Sequence, residues 1–383
     1  MTSDLGALAA RYRERVRDEL ADRPPAADGL RTAVDARMRQ LLRRDGVVLA
    51  ASDAERLIAE VVDDAAGLGP LDRLMRDPSV TEVMVNGPGE VWVEREGLVG
   101  REEIAFRDPE HLRHVIARIV GSVGRRVDES SPMVDARLPD GSRVNVVLPP
   151  LALDGPLLTI RRFRAAGFSL DELVASGSLT PEHARLLRAC VCGRLNLLIS
   201  GGTGSGKTTL LNAVARNLGA NERIVTVEDA AELRLDLPHV VRLESRPPNV
   251  EGRGEITLRA LVRNALRMRP DRIVVGEVRG CEALDMLQAM NTGHDGSLTT
   301  VHASSPADAI RRVETMMLMA GLDLPHAVVR EQVTAAIDVV VHVSRVAGGR
   351  RAVRAMAGRD RRSGEMRPLT DALSAALVEQ RCS

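Results

Sequence analysis

Residues 201–208 read Gly-Gly-Thr-Gly-Ser-Gly-Lys-Thr, a full match to the phosphate-binding loop pattern G-x-x-x-x-G-K-[ST]. Lys207 in this loop is the only lysine of the chain, against fifty-two arginines among 53 lysine and arginine residues. A compact ammonium on a thin stem fits inside a loop wrapped around phosphates, whereas the broad planar guanidinium does not fit readily. The sequence therefore predicts that the chain binds and hydrolyses a nucleoside triphosphate.

The pattern around this loop is that of a strand, a loop and a helix. Residues 195–199 form a short apolar run that predicts a buried strand, and a helix is expected from Lys207 to about Leu218. Further buried strands are predicted at residues 224–227, 273–275 and 298–301. Because strands that alternate with helices form a parallel sheet, we expect an α/β domain with its ligand at the carboxyl edge of the sheet.

The preceding part of the chain predicts two smaller units. Apolar residues recur three times at helical spacing, which predicts a helical segment at residues 1–70, and the capping signal Ser52–Glu55 marks its third helix. The period then changes to two, with strands expected at 82–86 and 90–94. The expected divisions are an α+β domain at 71–163, a linker at 164–170, a P-loop domain at 171–345 and an Arg-rich tail at 346–383.

Composition excludes several other classes of protein. The net charge is zero and only five residues are aromatic, so direct gripping of nucleic acid is not expected. The spacing of the four cysteines matches no metal or redox motif. We find no apolar run that predicts a signal peptide or a membrane span. The expectation is a cytoplasmic protein that reaches a membrane only through a partner.

The loop itself supplies the predicted nucleotide contacts. Backbone N–H groups and the start of the following helix would surround the phosphate oxygens. Lys207 would reach the β- and γ-phosphates, and the Thr208 hydroxyl would ligate Mg²⁺. The predicted cofactor-binding residues are Gly202, Thr203, Gly204, Ser205, Gly206, Lys207, Thr208 and Thr209.

Acidic residues and histidines follow the predicted strands. Glu277 ends one strand and is a candidate Mg²⁺ ligand, directly or through water, while Glu228 and Asp229 end another. Hydrolysis requires one carboxylate near the metal and another that orients and deprotonates water. Two histidines, His294 and His302, flank the strand at 298–301, and His302 is the candidate γ-phosphate sensor.

These motifs together resemble the secretion and pilus motor ATPases of the type II/type IV secretion superfamily, in particular the CpaF-like branch of Tad (Flp) pilus assembly. The resemblance covers roughly residues 67–345. It depends on the P-loop and on the segments Gly67–Leu71, Thr81–Gly87, Asp135–Asn145, Thr226–Leu233, Leu266–Arg279 and Thr292–His302.

The resemblance implies a RecA-like ATPase domain, with ATP and Mg²⁺ as cofactors. Glu228 and Asp229 match the Asp box, so Glu228 is the expected water-activating residue; Glu277 matches the Walker B segment, and His294 and His302 the His box. Such ATPases are hexameric rings that act on an inner-membrane platform protein, with nucleotide between two domains and arginines completing the site. The candidate arginines are Arg137, Arg143, Arg161, Arg162, Arg253 and Arg279.

Two other functions stay open from the sequence. One is a conjugation-type ATPase that serves DNA transfer, and the other is a nucleotide-binding regulatory subunit without useful hydrolysis. The tail also has two interpretations: a solvated hairpin or disordered end is expected, and contact with anionic lipid or a platform protein is the alternative.

Overall fold

The computed structural model describes residues 2–21, 29–95, 97–162, 167–248, 253–321, 324–346, 349–360 and 364–382. The chain divides into two compact units, Met1–Phe163 and Arg164–Ser383. In the described residues, no helix combines the length and the apolar character needed to cross a lipid bilayer.

The first unit begins with a helical bundle, as predicted. Its helices are α1 (Thr2–Ala21), α2 (Leu30–Arg44) and α3 (Ala51–Ala66). They share a core that includes Tyr12, Met38 and Leu57. The predicted capping box is wrong: α3 starts one residue before Ser52, and its N-cap position is Ala50, which makes no side-chain cap.

A six-stranded antiparallel sheet forms the rest of the described first unit. The elements are a short 3₁₀ turn (Gly69–Leu71), α4 (Asp72–Arg76), β1 (Val80–Asn86), β2 (Val91–Arg95), β3 (Leu98–Glu102), α5 (Pro109–Ser122), β4 (Met133–Arg137), β5 (Arg143–Val147) and β6 (Leu157–Arg161). The strand order is β3-β2-β1-β6-β5-β4. One sheet face packs on α5 through residues such as Val83 and Ile116. The predicted strands at 82–86 and 90–94 are confirmed as the antiparallel pair β1–β2.

The second unit is a three-layer α/β fold around an eight-stranded sheet in the described chain. Its first half comprises α6 (Leu170–Ala175), α7 (Pro181–Cys192), β7 (Leu197–Gly201), α8 (Lys207–Ala215), β8 (Ile224–Glu228), β9 (Val240–Glu244) and α9 (Leu258–Ala265). Its second half comprises β10 (Arg272–Val278), α10 (Glu282–Asn291), β11 (Leu298–His302), α11 (Pro306–Met319), α12 (His326–Ala336), β12 (Val339–Arg345), β13 (Arg351–Arg359), β14 (Met366–Pro368) and α13 (Asp371–Cys382). The predicted α/β class is confirmed.

Strand order brings the predicted site to one edge of this sheet. The order is β14-β13-β12-β7-β11-β10-β8-β9, and the six strands from β12 to β9 run parallel. Apolar residues on the two sheet faces form separate cores, one with α7 and α8 and the other with α10 and α11. Since the parallel strands end at one edge, the residues after β7, β8, β10 and β11 are neighbours in space.

The linker predicted at 164–170 lies partly outside the described residues. Its last described part leads directly into α6, where Ser169 is the N-cap and forms a capping box with Glu172. The backbone carbonyl of Gly167 accepts a 2.8 Å hydrogen bond from Arg216 at the end of the P-loop helix. This end of the segment is therefore fixed to the second unit.

Residues 346–383, expected as an Arg-rich tail with a solvated hairpin or disordered end, do contribute a hairpin strand in the described part, but one end of that strand is buried rather than solvated. β13 pairs with β12 over its length, and the strand end from Met356 to Arg359 is buried. The guanidinium of Arg359 lies 3.2 Å from the carboxylate of Asp338, which is fully buried. The arginine-rich composition does not reveal this strand in the sequence, because the partners of its residues lie outside the segment.

We expect Arg359→Ala to lower the free energy of unfolding by about 3 kcal/mol, because the fully buried Asp338 carboxylate loses the guanidinium that lies against it. Chemical denaturation of the two proteins measures the difference. Arg354→Ala is the matched control, since Arg354 lies exposed on the same strand. Equal denaturation midpoints for Arg359→Ala and the unmodified protein would show that the buried pair does not hold the hairpin.

Candidate nucleotide site

The glycine-rich loop connects the fully buried strand β7 to the first turn of α8. Gly204 and Gly206 have φ values of +64° and +96°, in the region that only glycine adopts freely. Gly206 is the N-cap of α8, which therefore begins at Lys207. The loop therefore leads directly into a helix N-terminus, an arrangement suited to phosphate oxygens.

Close packing gives a second reason for glycine here. A Cβ on Gly201 would collide with the carbonyl oxygen of Val343 on β12 and lie 2.5 Å from the hydroxyl of Ser205. The same hydroxyl donates a 2.9 Å hydrogen bond to the carbonyl of Gly202. The loop is thus held by its own side chains and by the neighbouring strand.

Lys207 lies inside the loop with only 7% of its surface exposed. Its Nζ atom donates a 3.0 Å hydrogen bond to the Gly202 carbonyl and lies 3.3 Å from Nε2 of His302. Burial lowers the pKa of His302, with the Lys207 charge acting in the same direction and Glu277 opposing it. The ammonium therefore stands against an imidazole whose positively charged form is disfavoured.

Glu277 reaches the same place from β10. One extra residue of β10 lies opposite β11 between Val275 and Val278, so the strand bulges where Glu277 lies. Glu277 Oε1 is 2.8 Å from Nε2 of His302, and Oε2 accepts hydrogen bonds of 3.0 and 2.6 Å from Arg279. The contacts form a continuous series from Lys207 through His302 and Glu277 to Arg279.

Glu228 lies at the end of β8 and is only 2% exposed. Its Oε2 atom accepts hydrogen bonds from the backbone N–H groups of Glu232 and Leu233, at 2.7 and 2.9 Å. Burial raises the pKa of Glu228 to about 7, although these two hydrogen bonds oppose the shift. A Cβ on Gly276 would lie 3.0 Å from its Cγ, so Glu228 packs directly against the strand that carries Glu277.

The raised pKa of Glu228 predicts a pH-dependent stability. The carboxyl ionises near pH 4.5 when unfolded but only near 7 when folded, so its contribution is fully present below pH 4.5 and is lost as the pH rises through 7. We expect the free energy of unfolding of the unmodified protein to fall relative to Glu228→Gln between pH 5 and 8, by on the order of 3 kcal/mol. Denaturation of both proteins across this range measures the difference, with the exposed Glu255→Gln as control. Parallel pH curves would contradict this account.

His294 and Asp229 were also predicted to belong to the site, and they lie in different places. His294 precedes β11 at the amino edge of the sheet, in the loop where Asn196 accepts hydrogen bonds from Gly296 and Ser297. Within the second unit the structure does not bring His294 to the phosphate loop, and its part in the site stays a prediction. Asp229, in contrast, lies close to the site, since its Oδ2 atom is 3.9 Å from the guanidinium of Arg279.

The arginine candidates fall into two groups. Arg137, Arg143 and Arg161 are direct neighbours across β4, β5 and β6, and Arg162 donates to the Val80 carbonyl; all four belong to the first unit. In the second unit, Arg253 is exposed and lies next to Gly254, whereas Arg279 contacts Glu277. Within the second unit, Arg279 is the candidate linked to the loop.

The residues fit a magnesium nucleotide better than a metal bound by protein alone. In the described residues, no group of three or more His, Cys, Asp or Glu side chains is arranged to hold a metal ion. Mg²⁺ bound with a nucleotide needs only one or two protein ligands, because phosphates and water supply the others. Thr208 in the first turn of α8 and Glu277 in β10 stay the predicted ligands.

A strand, a glycine-rich loop and a helix at the carboxyl edge of a parallel sheet define the class of P-loop nucleotide-binding proteins. Residues 64–365 match the model of the family described as "Type II/IV secretion system protein". The chain belongs to this family, which confirms the family resemblance seen in the sequence.

Known proteins are similar in sequence to this chain over most of its length. A putative conjugal transfer protein of Mycobacterium tuberculosis is 43% identical over 313 residues, which cover 80% of this chain and 88% of that protein. The conjugal transfer protein TrbB of Rhizobium radiobacter is 35% identical over 72% of this chain and 82% of its own length. The ATPase DotB of Legionella pneumophila, 22% identical, superposes with a TM-score of 0.55 over 79% of this chain and 84% of that chain. The likeness to DotB supports the RecA-like fold assignment.

Proposed function

We propose that the protein is an ATP-hydrolysing motor that assembles as a hexameric ring and powers pilus assembly or protein secretion through an inner-membrane platform protein. The observation that carries this proposal is the contact series at the sheet edge, in which Lys207 meets His302 and His302 meets Glu277. Such a series joins the phosphate-binding lysine to an acid at the end of a neighbouring strand. A structural turn without a ligand has no need of it.

The residues have distinct roles in this proposal. The loop amides and Lys207 bind the β- and γ-phosphates, and Thr208 and Glu277 hold Mg²⁺ or its water ligands. Bound Mg²⁺ would neutralise charge on the phosphate oxygens. Glu228 accepts a proton from the attacking water, and its pKa of about 7 suits a general base near neutral pH. His302 couples the γ-phosphate to Glu277, and Arg279 holds that carboxylate in place.

Mass photometry with Mg²⁺ and a non-hydrolysable ATP analogue tests the ring. We expect six-subunit particles, whereas monomers under all nucleotide conditions would contradict the assembly. ATP turnover by the assembled protein separates a motor from a regulatory subunit that only binds nucleotide. The pH dependence of turnover should also show a fall below about pH 7, as Glu228 becomes protonated.

Conjugal DNA transfer is the second candidate function. It is favoured by the names of two relatives, a putative conjugal transfer protein and TrbB, which the chain resembles over most of its length. Deletion of the gene distinguishes the two functions. Loss of surface pili with unchanged plasmid transfer supports pilus assembly, whereas loss of plasmid transfer with normal pili supports conjugation.

A further inference from the structure

Two arginines from the last hairpin of the second unit lie directly on the phosphate loop. Arg345 ends β12, and its Nε donates a 3.1 Å hydrogen bond to the carbonyl of Gly204. A Cβ on Gly204 would lie 2.7 Å from a guanidinium nitrogen of Arg345. One on Gly206 would lie 3.2 Å from Cδ of Arg351. Both side chains therefore contact the part of the loop that has left-handed backbone geometry.

The sheet explains why these arginines meet the loop. β7 lies between β11 and β12, and Gly201 pairs with His302 on one side and with Val343 on the other. Arg345 is two residues beyond Val343, so β12 continues alongside the loop as it leaves the sheet. The loop thus has His302 on one flank and Arg345 on the other.

The strand register places the backbones of the two arginines opposite each other. Arg345 and Arg351 are direct partners in the antiparallel pair β12–β13. A polyphosphate bound at the loop would carry several negative charges, which cations beside the loop can neutralise. Arginine also suits phosphate because its planar fork offers two parallel N–H donors.

From this geometry we infer that Arg345 and Arg351 are polyphosphate-binding residues, supplied by the same chain on the flank of the loop opposite His302. The inference depends on the proposed nucleotide function and adds a binding element from the β12–β13 hairpin, which spans the predicted boundary between the P-loop domain and the tail. Arg345 has a second task, because its bond to Gly204 also positions the loop.

Glutamine and lysine variants distinguish the effect of the arginine charge from the effect of the hydrogen bond that positions the loop. Arg345→Gln keeps an N–H donor for the Gly204 carbonyl but removes the charge, whereas Arg345→Lys keeps the charge. We expect Arg345→Gln and Arg351→Gln each to weaken binding of ATP and of inorganic tripolyphosphate by about tenfold or more. Arg345→Lys should recover part of the loss, and the salt dependence of binding should decrease in both glutamine variants. Arg354→Gln, on the same strand and exposed, is the control and should bind as the unmodified protein does.

Titration calorimetry with each ligand, beside thermal unfolding of each variant, gives the answer. If Arg345→Gln and Arg351→Gln both bind tripolyphosphate like the unmodified protein while Lys207→Ala loses binding, the inference fails and the nucleotide site stands. If the unmodified protein binds ATP no better than Lys207→Ala does, the proposed function itself fails. Should Arg345→Gln unfold, Arg351→Gln still decides the matter, because Arg351 is not assigned the bond to the Gly204 carbonyl.

Discussion

Lys207→Arg is expected to lower ATP turnover by at least about a hundredfold, although it keeps the positive charge. The Lys207 ammonium is buried inside the loop against the Gly202 carbonyl and the His302 ring. A guanidinium is wider and planar, so it would displace one of these neighbours or leave the loop. Steady-state turnover and ATP affinity of the purified variant measure the effect.

The control for this exchange is Arg354→Lys, the reverse substitution at an exposed site, which should leave turnover unchanged. Near-normal turnover by Lys207→Arg would show that the loop tolerates either cation. The survival of a single lysine in an arginine-rich chain would then need another explanation.

Glu277→Gln should slow hydrolysis by about a hundredfold to a thousandfold while ATP still binds. The substitution keeps the size of the side chain but removes the charge that faces Arg279 and His302. It also removes the negative charge of the carboxylate proposed to hold Mg²⁺ or its water ligands. Because the loop is expected to make most of the ground-state contacts to the phosphates, kcat should fall much more than affinity.

Single-turnover hydrolysis and ATP binding, measured side by side, check this separation. Glu255→Gln is the matched control, since Glu255 is exposed and lies outside the contact series. Unchanged turnover in Glu277→Gln, or an equal loss of binding and turnover, would contradict the role proposed for this carboxylate.

The loop was predictable from sequence because its geometry is local. Eight consecutive residues define the motif, and the strand and helix beside it have clear patterns. The place of Glu277 and His302 in the site is also predictable from sequence, since each lies at the end of a predicted parallel strand and such ends meet at one edge. No sequence pattern predicts the bulge in β10 between Val275 and Val278, where Glu277 lies.

His294 shows why closeness in sequence misleads. His294 precedes strand β11 and His302 ends it. The two histidines are only eight positions apart in sequence, but the length of the strand separates them in space. The edge strand β3 is not predicted for a different reason: four of its five residues are exposed, and they show no alternation of apolar and polar positions.

The sequence predicts a hairpin in the Arg-rich segment, but the burial of part of the β12–β13 hairpin is not predictable, because it depends on contacts with residues outside that segment. Arg359 is buried against Asp338, and Arg345 contacts Gly204, a residue 141 positions earlier in the chain. In a segment so rich in arginine, nothing in the pattern separates these two from solvated neighbours such as Arg354. Only the sheet register identifies them.

Mg-ATP turnover by the assembled protein, compared with that of Lys207→Ala, tests the central claim most directly. The unmodified protein should release phosphate continuously, and Lys207→Ala should fall to the background rate while keeping its fold by circular dichroism. Equal turnover by the two proteins, or none by the unmodified ring, would contradict the assignment of an ATP-hydrolysing motor.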